Sequence, residues 1–334
     1  MHEQNTHERS GDLALVLSGV HQNLAYIVLF RVIDTENNVT FLARGAAADV
    51  WKVYDLPAPD NGRIVPYISK GLRISPRDFD DGDSESNEGS EVSEDESEDE
   101  KTTWDAFVKT YREKVSEWVV LRHPNIIKVY AHEEDLNLHV EFCSNGCVRD
   151  FLRTPAGQRV IKKDMISDVL AGLEYLHTRD PPVVHGNINA GKLFVDADGK
   201  TKLGEFGLAA LCYPLAPLAS SITFTGFSRW MSPELLDIDP DDEAPILPTT
   251  SSDIWALGCT IFEIIAEKLP YFEYMHDVKI QRAILKGEHP GRRDDLTGDD
   301  VCGRRLWPIL ESCWSMDPGK RPSGESIRSQ MLGD

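Results

Sequence analysis

Within the stretch VVHGNINAGKLFVDADGKTKLGEFGLAAL, Val183 to Leu211, four of the polar residues that could do chemistry are Asn187, Asn189, Lys192 and Glu205. The carboxamide of Asn187 cannot take up a proton at neutral pH. The ammonium of Lys192 repels a divalent cation, which seeks carboxylate and carbonyl oxygens. Glu205 is the one group of the four with the hard, anionic oxygens that magnesium prefers. The set can bind and pair charges, but it lacks a base at Asn187 and a metal ligand at Lys192.

A chain of 334 residues, 41% of them hydrophobic, is long enough for one large domain or two lobes with a sizeable core. The formal net charge of -21 argues against a nucleic-acid backbone or an anionic membrane as partner. The six cysteines (143, 147, 212, 259, 302 and 313) form no CxxC pair, so reduced, buried thiols in a cytoplasmic protein are expected, with the nucleus left open. The apolar stretch Leu13 to Ile33 carries His21, Gln22 and Asn23 at its centre, which disfavours a membrane span.

The elements that must position these groups read as follows. Residues 1–10 form a polar tail, and residues 11–34 are expected to form a helical extension, because Leu13, Leu17, Val20, Leu24 and Ile27 follow helical spacing. Short alternating runs at Val39–Leu42, Val50–Tyr54 and Ile64–Leu72 suggest strands. Asp78 to Glu100 holds thirteen acidic residues and no Lys or Arg, so a disordered acidic insertion is expected, able to bind a basic partner. Phe107, Tyr111, Lys114 and Trp118 lie on one face of a following helix that stops before Pro124. Further on, Ile166, Leu170, Leu173 and Leu176 make one helical stripe. Ile254, Leu257, Ile261, Ile264 and Ile265 belong to a helix apolar almost all round, which should be central and buried. Strands first and helices later fit a two-lobe α+β domain.

Several segments, in order, resemble the eukaryotic protein kinase-like superfamily, in its tyrosine-kinase-like and fungal serine/threonine kinase-like style. Leu42–Lys52 resembles the phosphate-covering loop, with Gly45 kept and Ala43 and Ala48 in place of two glycines. Tyr67-Ile68-Ser69-Lys70 resembles the strand with the phosphate-binding lysine, Lys70. Glu141-Phe142-Cys143 looks like the hinge between lobes. Met231-Ser232-Pro233-Glu234 resembles Ala-Pro-Glu, and Arg321 its buried partner. Asp253, opening Asp-Ile-Trp-Ala-Leu-Gly, resembles the aspartate that braces the catalytic loop. The resemblance implies a bilobal fold over residues 38–332: a small β-rich N-lobe with one main helix (38–142) and a larger helical C-lobe (143–332), interrupted by the insertion at 78–100.

In such a domain an Asp takes up the substrate hydroxyl, an Asn and the Asp before Phe-Gly hold magnesium, and a Lys helps the phosphate. The resemblance places Asn187, Lys192, Glu205 and Asn189 at those positions. It implies a nucleotide pocket from Gly45, Val50, Ile68, Lys70, Glu141, Cys143 and Phe194, with the branched Ile68 crowding adenine. Counting back from His123-Pro124-Asn125 puts Lys114 where a Glu should pair with Lys70, and Glu117 is the alternative partner. His185, Phe206 and Gly207 should join the lobes, with His185 and Phe206 stacking. Because Lys192 and Glu205 would converge where the metal sits, an ion pair between them, joined by Lys70, is expected to replace the ion.

The expected function is therefore a degenerate member, a pseudokinase acting as a scaffolding or allosteric module. It would need neither ATP nor magnesium and would bind protein partners, but no nucleic acid and no membrane. The alternatives are a weak serine/threonine kinase that uses ATP and magnesium, and a metal-independent nucleotide-sensing switch. Candidate partner surfaces are the acidic insertion, Asp237–Glu243 and the outer face of the helix that carries Lys114.

Overall fold

The structure is a computed structural model that describes residues 33–34, 39–44, 48–57, 64–72, 94–130, 136–207, 211, 228–237, 247–296 and 300–332. Gly45 and most of Asp237–Glu243 lie outside these residues. Among them, six strands form one antiparallel sheet: β1 (Ile33–Asp34), β2 (Val39–Arg44), β3 (Ala48–Pro57), β4 (Ile64–Leu72), β5 (Val129–Tyr130) and β6 (Asn137–Glu141), in the order β1-β2-β3-β4-β6-β5. The register sets Val50 opposite Lys70, and Lys70 opposite Leu138 on the other side. It likewise aligns Ile68 with Val140. Side chains alternate along a strand, so Ile68 and Lys70 share one face.

Helix α1 (Glu94–Val119) lies against this sheet. Its stripe behaves as the spacing predicts for Phe107, Tyr111 and Trp118, which are buried. Lys114 differs. Its side chain is 42% exposed and pairs with Glu117 at 2.8 Å, one turn along the same helix. An ammonium on a half-buried edge reaches the nearest carboxylate and water rather than crossing a site toward another cation. Glu117, the alternative partner for Lys70, is taken by Lys114, and Lys70 pairs with Glu205 instead.

Two boundaries need correction. Residues 11–32 of the expected helical extension lie outside the described residues, but Ile33–Asp34 is strand, paired with Val39–Thr40. Of the expected disordered insertion, residues 78–93 lie outside the described residues, whereas Glu94–Glu100 forms the first turns of α1.

The C-lobe is helical: α2 (Val148–Phe151), α3 (Lys162–His177), α4 (Thr250–Ala266), α5 (Asp277–Leu285), α6 (Asp300–Cys313) and α7 (Gly324–Leu332), with a small hairpin of β7 (Leu193–Val195) and β8 (Thr201–Leu203) facing the sheet side. Helix α4 is the core element. Thr249 and Ser252 close a capping box at its start, and Ile254, Trp255, Leu257, Ile261, Phe262 and Ile264 are all buried. Each such side chain stabilises by about 1.5–3 kcal/mol relative to exposure. No helix among the described residues is long and apolar enough to cross a membrane.

Arg321 is the clamp of this lobe. Its guanidinium donates to both carboxylate oxygens of Glu234 at 2.6 and 2.7 Å and to the carbonyls of Ser251 and Ser315, over the ring of Trp255. Burial raises the Glu234 carboxyl, but the hydrogen bonds and charge of Arg321 outweigh it and bring it below its ordinary value. Removing one side of such a pair strands the other. Arg321→Met is expected to cost about 3–5 kcal/mol in urea denaturation; a loss below about 1 kcal/mol would contradict the clamp.

Candidate functional site

The cleft lies between β4 of the sheet and the β7–β8 hairpin. Glu205, just after β8, has φ +63°, a left-handed conformation that costs an L-residue about 1–3 kcal/mol. That turn aims its carboxylate at two ammonium groups. One oxygen is paired with Lys70 from β4, the other with Lys192 from the loop before β7. Lys70 and Glu205 are almost wholly removed from solvent, with side-chain exposures of 7% and 15%. The expected Lys192–Glu205 contact is present, with Lys70 joining it. The three groups carry two positive charges and one negative, and they tie the N-lobe sheet to the C-lobe loop.

Burial by itself raises the Glu205 carboxyl, yet Lys192 and Lys70 together overcome it and hold it far below the usual carboxylate range. The Lys70 ammonium is lowered, by burial first; Glu205 opposes this and Lys192 adds to it. Lys70 also lies 5.6 Å from the centre of the Phe194 ring, so Phe194 lines the same space.

Asn187 is spoken for as well. Asn189 donates from its side-chain nitrogen to the Asn187 side-chain oxygen at 3.0 Å and to the Asn187 carbonyl at 3.2 Å. The Asn189 oxygen in turn accepts from the Gly191 amide at 3.0 Å. The loop is braced from below by Asp253, which accepts from the His185 and Gly186 amides at 2.8 Å each and meets His177 at 2.9 Å. His185 is wholly buried, which lowers its pKa, so it is neutral. Its Nδ1 accepts from the Asn187 amide.

The join between lobes passes through Phe206, but the ring that meets it is Trp118 of α1, edge-on at 6.1 Å, rather than His185. His185 connects through backbone, its carbonyl accepting from the Gly207 amide at 3.0 Å. Gly207 is required there. Its φ is +74°, and a Cβ would sit 2.7 Å from the Trp118 ring.

At the hinge, Glu141 turns its side chain away from the Lys70 cluster to Lys202 at 2.5 Å, and the Cys143 carbonyl accepts from the Gly146 amide. Burial pushes the Cys143 thiol up to about 12, so it is inert.

Two further supports were missed in the sequence. Arg149 of α2 pairs with the nearly buried Glu263 of α4 at 2.6 Å, and Glu263 also accepts from the Ala190 amide, fixing the loop after Asn189. A Glu on a helix otherwise apolar all round was the available signal, because a buried carboxylate needs a partner. Lys202, holding Glu141, had no signal beyond its place on β8.

A nucleotide with magnesium is what the kinase resemblance implies, and the residues present do not fit the metal. The one carboxylate at the site has both oxygens on ammonium groups, and Lys192 adds a positive charge where a neutral ligand is needed. Among the described residues no cluster of three or more His, Cys, Asp or Glu could hold an ion. If Glu205 is what makes the buried Lys70 ammonium tolerable beside Lys192, Glu205→Gln is expected to destabilise the protein by about 2–4 kcal/mol at pH 7. Its folded pKa lies below the unfolded 4.5, so this contribution is fully present above pH 4.5 and is lost as pH falls further. Urea denaturation of both proteins from pH 7 to pH 3 should show a difference constant down to about pH 5 and shrinking below; a difference that is already gone at pH 5 would contradict the assignment.

Comparison with known proteins places this geometry. A family model described as "Protein kinase domain" matches residues 91–332, more than half of the chain. The chain is 31% identical over 214 residues to cytokinesis protein sepH of Emericella nidulans, which covers 62% of this chain and 14% of that protein. It is 28% identical over 210 residues to mitogen-activated protein kinase kinase kinase 1a of Physcomitrium patens, covering 62% and 25%, respectively. With mitogen-activated protein kinase kinase kinase 2 of Arabidopsis thaliana the identity is 27% over 230 residues, covering 66% and 33%. The chain thus spans a third or less of the length of these relatives. The matched region holds the braced loop, the Glu205 turn and the Glu234–Arg321 clamp, and the chain belongs to the protein kinase domain family.

Proposed function

We propose that this kinase domain is catalytically impaired and works as a pseudokinase, a binding or allosteric module whose lobes are held together by its own charges. The observation that carries this reading is Glu205 bridging Lys70 of the N-lobe and Lys192 of the C-lobe. In an active kinase the metal and the nucleotide phosphates span that gap. Here Lys192 takes the place of the cation, and the bridge needs no ligand. The Asn187–Asn189 amide contact supports the same reading, because the oxygen at the proton-acceptor position is already engaged and an amide is no base. On this reading the domain requires no ATP or magnesium and acts through protein partners.

A serine/threonine kinase is the second reading, favoured by the retained Lys70 and by relatives that are named as kinases. Loss of a positioned catalytic group commonly removes about 10²–10⁴ in rate. The purified chain is therefore expected to transfer no phosphate above background, to itself or to a generic basic substrate, with either magnesium or manganese ATP. Asn187→Asp combined with Lys192→Asn should raise the rate. Transfer by the wild type that disappears in Lys70→Arg would overturn the proposal in favour of the kinase.

A further inference from the structure

Helix α5 presents an outward face that no other described residue covers. Its buried side, Ile280, Ala283 and Ile284, packs inward. At 100° per residue the opposite side gathers Val278, Arg282 and Leu285 in one line, with Lys279 and Lys286 along one edge. Met275 precedes the helix. Met316 follows, lying against Gly287, whose φ of +75° turns the chain back beneath it and where a Cβ would be 3.7 Å from the Met316 sulfur. Met275, Val278, Leu285 and Met316 are 43–60% exposed, and they are half of the eight large apolar residues exposed among the described residues. Singly such residues mean little, but several on one side of a helix and at its two ends mark an interaction surface. The two methionines suit a surface that adapts to its partner.

The strip is also basic. Lys279, Arg282 and Lys286 make no ion pair among the described residues, although acids outnumber bases 56 to 35 in the chain. It is held rigidly. Arg229, in the turn on which α5 rests, donates to the carbonyls of Pro270, Tyr271 and Tyr274 at 2.7–2.8 Å and so fixes the segment that delivers Met275 and the helix.

We propose that this face docks an acidic amphipathic helix of another protein, its apolar side on Met275, Val278, Leu285 and Met316 and its carboxylates on Lys279, Arg282 and Lys286. Charge complementarity selects this occupant. An anionic bilayer is flat and would also press on Glu273 and Glu288, exposed beside the strip, whereas a helix about 10 Å wide meets the strip alone. Repulsion from the remaining acidic surface is screened beyond about 8 Å at physiological salt. The proposal concerns a surface remote from the Glu205 bridge and stands whether or not the domain transfers phosphate.

The test uses the full chain and two labelled peptides of about 18 residues, five turns, with Leu at i, i+3, i+4 and i+7. In one peptide every other residue is Glu; in the other it is Lys. Binding is read by fluorescence anisotropy, with vesicles of phosphatidylserine and phosphatidylcholine and light scattering of the free chain as further arms. A chain of net charge -21 attracts the Lys peptide by bulk charge alone, so preference for the Glu peptide isolates the strip. The expected result is about tenfold tighter binding of the Glu peptide than of the Lys peptide, and a loss of about tenfold in the Arg282→Glu/Lys286→Glu variant, whose circular dichroism is unchanged. Preference for the Lys peptide, equal binding by the variant, capture by vesicles, or self-association through this face would each overturn the proposal.

Discussion

A largely shielded carboxylate shared by the buried ammonium of Lys70 and the partly exposed ammonium of Lys192 is the constraint around which the cleft is organised. Lys70 lies deepest, and a buried ion without a partner costs several kcal/mol, so its pairing with Glu205 is what makes its burial tolerable. The three groups are supplied by three separate pieces of chain: strand β4, the loop before β7 and the turn after β8. Keeping them together therefore fixes how the sheet sits on the helical lobe. The left-handed turn at Glu205 is the local cost of that arrangement, and the ion contacts on both oxygens offset it.

Everything beneath this cluster serves to hold its loop still. Asp253 gathers the His185 and Gly186 amides, Glu263 gathers Ala190, and Arg149 neutralises Glu263. Trp118 closes on Phe206 from above, at a distance that only a glycine at 207 permits. The frame keeps the groups that position a catalytic loop while the loop presents amides and an ammonium. On the proposed reading that combination is a pre-organised platform, which lowers the cost of binding a partner.

The parts of this architecture governed by short-range rules were legible in the sequence. Three of the six strands (β2, β3 and β4), the buried stripe of α1 and the all-round apolar α4 followed from periodicity, because burial on one face or on all faces writes itself into spacing. The Lys192–Glu205 pair followed from the resemblance together with the signs of the two charges. Long side chains were the weak point. Lys114 sits where the count put it, but four rotatable bonds let it reach Glu117 instead of the cleft. The acidic run at 94–100 has the composition of a disordered segment, yet it lies within helix α1. Arg149–Glu263 and Lys202–Glu141 join residues 114 and 61 positions apart, and no local pattern encodes such a meeting.

The most direct test of a lobe closure that needs no ligand is the distance between lobes in solution. Non-cysteine spin labels at two exposed lysines, Lys109 on α1 and Lys163 on α3, would report it by double electron–electron resonance. A bridge made by Lys70, Glu205 and Lys192 predicts one narrow distance distribution, unchanged by magnesium ATP and broadened in Glu205→Gln. A wild-type distribution that is broad without ligand and narrows when magnesium ATP is added would contradict it.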